Sequence, residues 1–189
     1  QRACEAIAAQ NMSKGCIIVM QVGSGQILAS TSMPEFDPDD IAASIRADDT
    51  SLINRSLSAF SAGSVFKVVL AAAAYAQGLD WFTYDCTGSI QTAGETFRCA
   101  LGRAHGTVNL RGALEQSCNC YFIALGQLLG RQAILNAAQS FGLGTPALLA
   151  PGLKSAAGEL PSAADLQNAG SLASLSFGQG GLTVTPLQV

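Results

Sequence analysis

Residues 61–78 read SAGSVFKVVLAAAAYAQG, and only a chain with a substantial helical core has a place for such a stretch. Val65 to Gln77 are good helix formers, and Gly78 is positioned as the left-handed residue that ends a helix. The run is apolar on nearly every side, which predicts a helix in the middle of a core. Lys67 stands inside it, flanked by Val65, Phe66, Val68 and Val69. An ammonium buried there is costly unless it finds partners or gives up its proton, and a neutral amine is a base. Ser64 lies three residues earlier, on the same helical face. Ser-x-x-Lys at a helix start therefore reads as a serine nucleophile whose proton passes to the lysine, with the helix N-terminus favouring negative charge beside the hydroxyl. The plainer reading is an N-cap serine followed by a lysine that reaches out to water. A chain of this length holds on the order of one Ser-x-x-Lys by chance, so the motif needs support from elsewhere.

Composition removes several functions. The 189 residues, 49% hydrophobic and 12% charged, suit one domain of ordinary size or a large piece of a bigger one. The 13 acidic and 10 basic residues give a net charge of −3 with no basic run, which argues against a nucleic-acid partner. No apolar stretch reaches the length of a membrane span, and no signal-peptide pattern opens the chain. A first residue of Gln1 rather than Met predicts a segment of a longer protein.

The 6 cysteines are many for a cytosolic domain and few for a disulfide-built miniprotein. Cys86 and Cys99 flank GSIQTAGETFR, whose arms are expected to pair around a turn near Ala93-Gly94, and a bridge between the two suits an oxidising compartment. Zinc is the rival idea, drawing on these two with His105, Cys118 and Cys120, but no Cys-x2-Cys pair is present. The expectation is therefore no metal ligand and no cofactor. Cys4 and Cys16 read as small buried apolar residues.

In chain order, Arg2 to Asn11 predicts a first helix, and CIIVMQV a buried strand that turns at Gly23-Ser24-Gly25 into the returning strand QILAST. Pro38-Asp39-Asp40 opens a short helix, and Asp48 to Asn54 reads as loop. Val108 to Gln116 predicts a helix, CYFIALGQLLG a strongly apolar second one, and Arg131 to Phe141 a third closed by Gly142. Pro146 to Pro161 reads as surface loop, Ala163 to Leu175 as weak helix, FGQGGLTV as a glycine-rich bend, and Thr185-Pro186 as the start of another helix. One hairpin among many apolar helices gives an α+β class.

Ser117-Cys118-Asn119 falls between two of these helices, where Ser and Asn ordinarily serve as caps. The functional alternative uses the hydroxyl to relay a proton to a leaving group and the carboxamide to hold a substrate amide. Two other candidates are weaker. His105 lacks the partners of a Ser-His pair, and FGQGG lacks the Lys-Ser/Thr ending of a phosphate loop.

With both motifs in order, the chain resembles the transpeptidase domain of class B penicillin-binding proteins over almost its whole length. VGSGQILASTSMPEFDP is similar to the family's opening hairpin, and NRSLSAFSAGSVFKV to the stretch carrying its nucleophile, with Ala62 where proline is usual. CTGSI, FRC, HGTVNLRGALEQSCNCYF, FGLG and FGQGGLTVTPLQ resemble its later landmarks. The resemblance implies a β-lactamase/transpeptidase-like fold, a helical subdomain beside an antiparallel sheet, with residues 1–189 forming one partial domain. It implies Ser64 as nucleophile, Lys67 as base, Ser117 as proton relay and Asn119 as substrate contact, with the Ser64 N–H as one oxyanion donor. Peptidoglycan stem peptides, β-lactams and other cell-wall synthesis proteins are the implied partners, at the outer face of the cytoplasmic membrane on an N-terminal anchor that is not in this sequence. A β-lactamase, a β-lactam sensor and a non-catalytic assembly module are the alternatives. The family's third motif, Lys-Thr/Ser-Gly, does not occur; Lys154-Ser155-Ala156 is misplaced and lacks the glycine. The expectation is that this motif and its strands lie past Val189, and that the segment by itself is acylated poorly.

Overall fold

The computed structural model describes residues 2–10, 12–47 and 50–189. Asp48 and Asp49 of the expected loop, and the side chain of Cys4, lie outside the described residues. The chain divides into two compact units, one of residues 1–60, 146–158 and 184–189, the other of 61–145 and 159–183.

In the first unit, helix α1 (Arg2–Ala9) buries Ile7 against the start of a hairpin, where Gly15 leaves room for the isoleucine branch. Strand β1 (Gly15–Met20) pairs antiparallel with β2 (Ile27–Met33), from Gly15 opposite Met33 to Val19 opposite Ala29, before a bulge at Val19/Met20. Gly23 and Gly25, both at positive φ, make the expected turn. The expected burial of β1 is not found: Val19, Met20, Val22 and Leu28 are exposed, and Cys16 is only half-buried. Among the described residues β1 pairs only with β2, which leaves its other edge without a strand. Helix α2 (Ile41–Ala47) starts where Asp40 accepts a hydrogen bond from the Ala43 N–H at 3.0 Å.

One stretch in this unit departs from expectation. Residues 146–158 are not all loop: Leu148–Ala150 and Leu153–Lys154 pair antiparallel, and Ser155 is buried, its hydroxyl accepting from the Ala147 N–H and donating to the Ala156 carbonyl, both at 2.9 Å. Arms this short carry no readable alternation. At Thr185, where a helix start is expected, Thr185 and Gln188 satisfy each other's backbone N–H groups through their side chains, the reciprocal capping that opens a helix, and residues 186–188 form a single turn.

The second unit is mainly helical. A 3₁₀ turn (Gly63–Phe66) leads into α3 (Lys67–Ala76), followed by α4 (Leu110–Glu115), α5 (Asn119–Leu129), α6 (Arg131–Ser140) and α7 (Ala169–Ser176). The most buried element is α5 rather than α3. Tyr121, Phe122, Ile123 and Leu125 are wholly buried, each side chain contributing roughly 1.5–3 kcal/mol. It packs on α3, α6 and α7, and a Cβ at Gly126 would overlap the Ser176 hydroxyl. Helix α3 keeps one open face: Val68 is 55% and Tyr75 65% exposed, and Val65 of the preceding turn is 48% exposed.

Two ribbons border the helices. Ser89–Thr92 pairs with Glu95–Arg98 around Ala93 and Gly94, both at positive φ, as a two-residue hairpin turn requires. Thr83–Cys86 pairs with Gly106–Asn109, so Val108 sits on a strand and the helix predicted from it begins at Leu110. Asn109 marks that boundary by accepting from the Gly112 N–H at 2.9 Å. Helices beside small antiparallel sheets make the class α+β, as expected.

Candidate active site

Gly63, at φ 58, reverses the chain just before Ser64. Ser64 then lies inside the 3₁₀ turn and caps nothing, which removes the plain reading of its hydroxyl. As a residue of a first helical turn it also carries an N–H of the kind that has no intrahelical acceptor. The glycine-rich bend supports this turn from outside. The Gly63 N–H donates to the Gly178 carbonyl at 2.9 Å, and a Cβ at Gly178 would overlap the Gly63 carbonyl. Both backbones approach so closely that only glycine fits at 178.

Ser117 follows α4 in the left-handed conformation, at φ 51. Its N–H donates to the Leu114 carbonyl and that of Cys118 to the Ala113 carbonyl, the paired bonds of a Schellman ending in which the left-handed residue is usually glycine. A serine there costs on the order of 1 kcal/mol, and the strain presents its hydroxyl next to Lys67. Helix α5 starts one residue later, with Cys118 as its weak cap and Asn119 as its first residue.

Lys67 gathers these pieces. It is 1% exposed, and its Nζ lies 3.2 Å from Ser64 Oγ, 2.9 Å from Ser117 Oγ, 2.8 Å from the Ser117 carbonyl and 2.7 Å from Asn119 Oδ1. The two hydroxyls are 3.0 Å apart. Asn119 is oriented from behind, since its Nδ2 donates to the Arg98 carbonyl at 2.9 Å. The Phe122 ring centroid is 5.7 Å from Nζ. Burial lowers the Lys67 pKa from 10.5 to about 8, against the opposing pull of the Cys118, Cys99 and Cys120 thiols. A neutral amine fits the four oxygens well. Its two N–H groups serve the two carbonyl oxygens, which can only accept, and its lone pair is left for a hydroxyl proton.

Ser64, Lys67, Ser117 and Asn119, chosen from the sequence as nucleophile, base, relay and substrate contact, thus meet around one amine. Such a cluster can take a proton from an exposed hydroxyl and hand it to a second one beside it. The Arg98 carbonyl, the Phe122 ring and the Gly178 contact carry no readable signal in the sequence, because each acts through the backbone or across the fold. His105 stands apart, with Nδ1 3.5 Å from Cys86 Sγ. Around it the thiols are free: Cys86 and Cys99 are not bridged, and their sulfurs lie 3.7 Å apart. Lys154 ends a two-residue strand of the first unit and is exposed.

The profile of the penicillin binding protein transpeptidase domain matches residues 15–189. The peptidoglycan D,D-transpeptidase PbpA of Mycolicibacterium smegmatis is 32% identical over 198 residues, covering 93% of this chain and 39% of that protein. The crystal structure of the D,D-transpeptidase domain of a peptidoglycan glycosyltransferase from Eggerthella lenta superposes with a TM-score of 0.87 at 27% identity, covering 98% of this chain and 49% of that one. The penicillin G acyl-enzyme complex of penicillin-binding protein A from M. tuberculosis gives 0.82 at 28% identity, covering 94% and 44%. The chain therefore spans about two fifths of the curated relative's length. No helix among the described residues is long and apolar enough to cross a membrane.

Proposed function

Because the chain belongs to the family of penicillin-binding protein transpeptidase domains, we propose that it carries the acylation half-site of a serine D,D-transpeptidase that cross-links peptidoglycan stem peptides. Ser64 Oγ attacks the carbonyl carbon of the penultimate D-alanine while its proton passes to Lys67 Nζ. The developing oxyanion takes a hydrogen bond from the Ser64 N–H. Collapse of the tetrahedral species breaks the peptide bond, and the proton moves from Lys67 through Ser117 to the amine of the departing D-alanine. An ester between Ser64 and the stem peptide remains. The amine of a neighbouring stem peptide then attacks that ester, forming the new peptide bond and returning the proton to Ser64. A β-lactam is attacked by the same hydroxyl, but its ring-opened amine stays tethered. Asn119 holds the substrate backbone and orients the amine.

The observation that carries this reading is the buried Lys67 Nζ in reach of both hydroxyls and the Asn119 carboxamide. The site belongs at the outer face of the cytoplasmic membrane, where its substrate is, with other cell-wall synthesis proteins as neighbours. The sequence holds no Lys-Thr/Ser-Gly, so residues 1–189 alone are expected to label weakly with a fluorescent penicillin, and the longest natural protein carrying the chain to label fully. Mass spectrometry should place the adduct on Ser64, and Ser64→Ala should abolish it. Undiminished labelling of that variant, or an adduct on another residue, refutes the proposal.

A further inference from the structure

Among the described residues, the densest set of reactive side chains outside the acyl-transfer group is a cluster of thiols around the only histidine. Cys86 ends the strand Thr83–Cys86, Cys99 follows the arm Glu95–Arg98, His105 precedes the strand Gly106–Asn109, and Cys118 caps α5. These are four separate places in the chain, so no short ligand spacing announces them. One ligand atom from each lies within 4.8 Å of all the others. Cys86 Sγ is 3.7 Å from Cys99 Sγ, Cys99 Sγ is 3.8 Å from Cys118 Sγ, and His105 Nδ1 is 3.5 Å from Cys86 Sγ.

Those separations have a specific meaning. Tetrahedral zinc holds sulfur at about 2.3 Å and nitrogen at about 2.0–2.1 Å, which sets its ligands about 3.8 Å apart between sulfurs and about 3.5 Å apart between sulfur and nitrogen. We propose that Cys86, Cys99, Cys118 and His105 bind one structural zinc ion as a Cys3His site. The three cysteines bind as thiolates, releasing their protons to solvent, and the imidazole binds through Nδ1 as the neutral ring. The Tyr121 N–H, 3.4 Å from Cys118 Sγ, is placed to support a bound thiolate.

Two other occupations of the same space fit less well. A Cys86–Cys99 disulfide would draw the two sulfurs to about 2.05 Å and leave Cys118 and a half-buried imidazole gathered around nothing. Plain packing accounts for buried thiols but not for a ring nitrogen turned toward sulfur. Zinc would also join both ribbons to the start of α5. Its ligand Cys118 stands between Ser117 and Asn119, so the ion would brace the turn that presents both residues to Lys67. The metal site itself does not depend on the acyl-transfer reading.

Zinc is the probe for the test, and the sample is the longest natural protein carrying the chain. After equilibration with zinc and exhaustive dialysis, elemental analysis should find one zinc per chain. Cobalt(II) in its place should give the visible bands of a tetrahedral ion with thiolate charge transfer. Cys86→Ser, Cys99→Ser, Cys118→Ser and His105→Ala should each lose the ion, whereas Cys120→Ser should keep it. Because a ligand variant can fail to fold, the unsubstituted protein is also stripped with a strong chelator, which should lower its Tm, and zinc alone should restore it. Absence of zinc after loading, a Cys86–Cys99 disulfide found by mass spectrometry, or loss of zinc from Cys120→Ser but not from Cys118→Ser would each overturn the proposal. None of these readouts requires acylation of Ser64.

Discussion

Replacing Lys67 with methionine separates chemistry from folding at this site. The side chain keeps its length and its burial but loses the only atom that touches all four oxygens. On the stability side, two terms oppose. The Ser117 carbonyl and Asn119 Oδ1 lose their donor, at about 1–3 kcal/mol for an unsatisfied buried acceptor. Against this, the native amine is held at a pKa of about 8 rather than 10.5, so protonating it in the fold at neutral pH already costs roughly 3 kcal/mol, and that cost disappears. Over the two acceptors, the net change should lie between about 1 kcal/mol of stabilisation and about 3 kcal/mol of destabilisation. On the activity side nothing compensates. A positioned general base is worth about 10²–10⁴ in rate, so the second-order constant for acylation by a fluorescent penicillin should fall about a thousandfold, or roughly 4 kcal/mol of transition-state stabilisation. Lys67→Arg should be equally slow, because a guanidinium keeps the charge but cannot take the proton. Labelling within tenfold of the unsubstituted protein by either variant, with Ser64→Ala inert, would refute Lys67 as the base.

Acylation should fall about tenfold per pH unit below about 8 and level off above it, since protonation removes the lone pair; burial sets this low midpoint against the opposing Cys118, Cys99 and Cys120 thiols, and a flat profile between about pH 6 and 9 would contradict it. Ser117→Gly relieves the left-handed strain and should stabilise the protein by about 1 kcal/mol in a denaturant melt while slowing acylation; a loss of stability would show that the hydroxyl bonds outweigh the strain. Gly126→Ala drives a methyl into Ser176 and should cost about 1–3 kcal/mol, with Ser176→Gly recovering most of it in a double-mutant cycle; additive losses would mean that α5 and α7 do not touch there.

What the sequence made legible was local. The α5 and α6 helices, the Ala93-Gly94 turn and the bend at Gly23 and Gly25 follow from apolar spacing and from residues that tolerate positive φ. Where a distant partner decides, the reading failed. Val108 has a helix former's neighbours, yet it pairs with Tyr84 across a ribbon that no local pattern announces. Val65 and Val68 look like core residues, and the face they occupy is open. Ser-x-x-Lys and Ser-x-Asn were each visible as candidates, but their meeting at one nitrogen depends on a left-handed serine that follows no composition rule. The thiols and His105 show the same limit, since no ligand spacing along the chain marks donors that only the fold gathers.

The placement of polar atoms explains why this site needs so many supports. In the proposed reaction the nucleophile must be reached by substrate, and Ser64 is exposed; its base must be dry enough to shed a proton at moderate pH, and Lys67 is buried. Two groups with opposite needs for water stand 3.2 Å apart, so the boundary between wet and dry passes between them. Amine polarity is set from the dry side: the Arg98 carbonyl fixes which end of Asn119 is the donor, and that leaves Oδ1 facing Nζ. On the wet side, Ser117 occupies a position that glycine would fill without strain, and its hydroxyl, 3.0 Å from that of Ser64, is the group that the proposed relay uses. The backbone contact of Gly178 on Gly63 then holds the Ser64 turn against the amine. Each support lies on a different element, and the chemistry requires all of them to agree to within a hydrogen-bond length. That is why α5, which carries Asn119 and Phe122 and starts at Cys118, is the most buried helix of its unit: the rigidity of the core becomes the precision of the site.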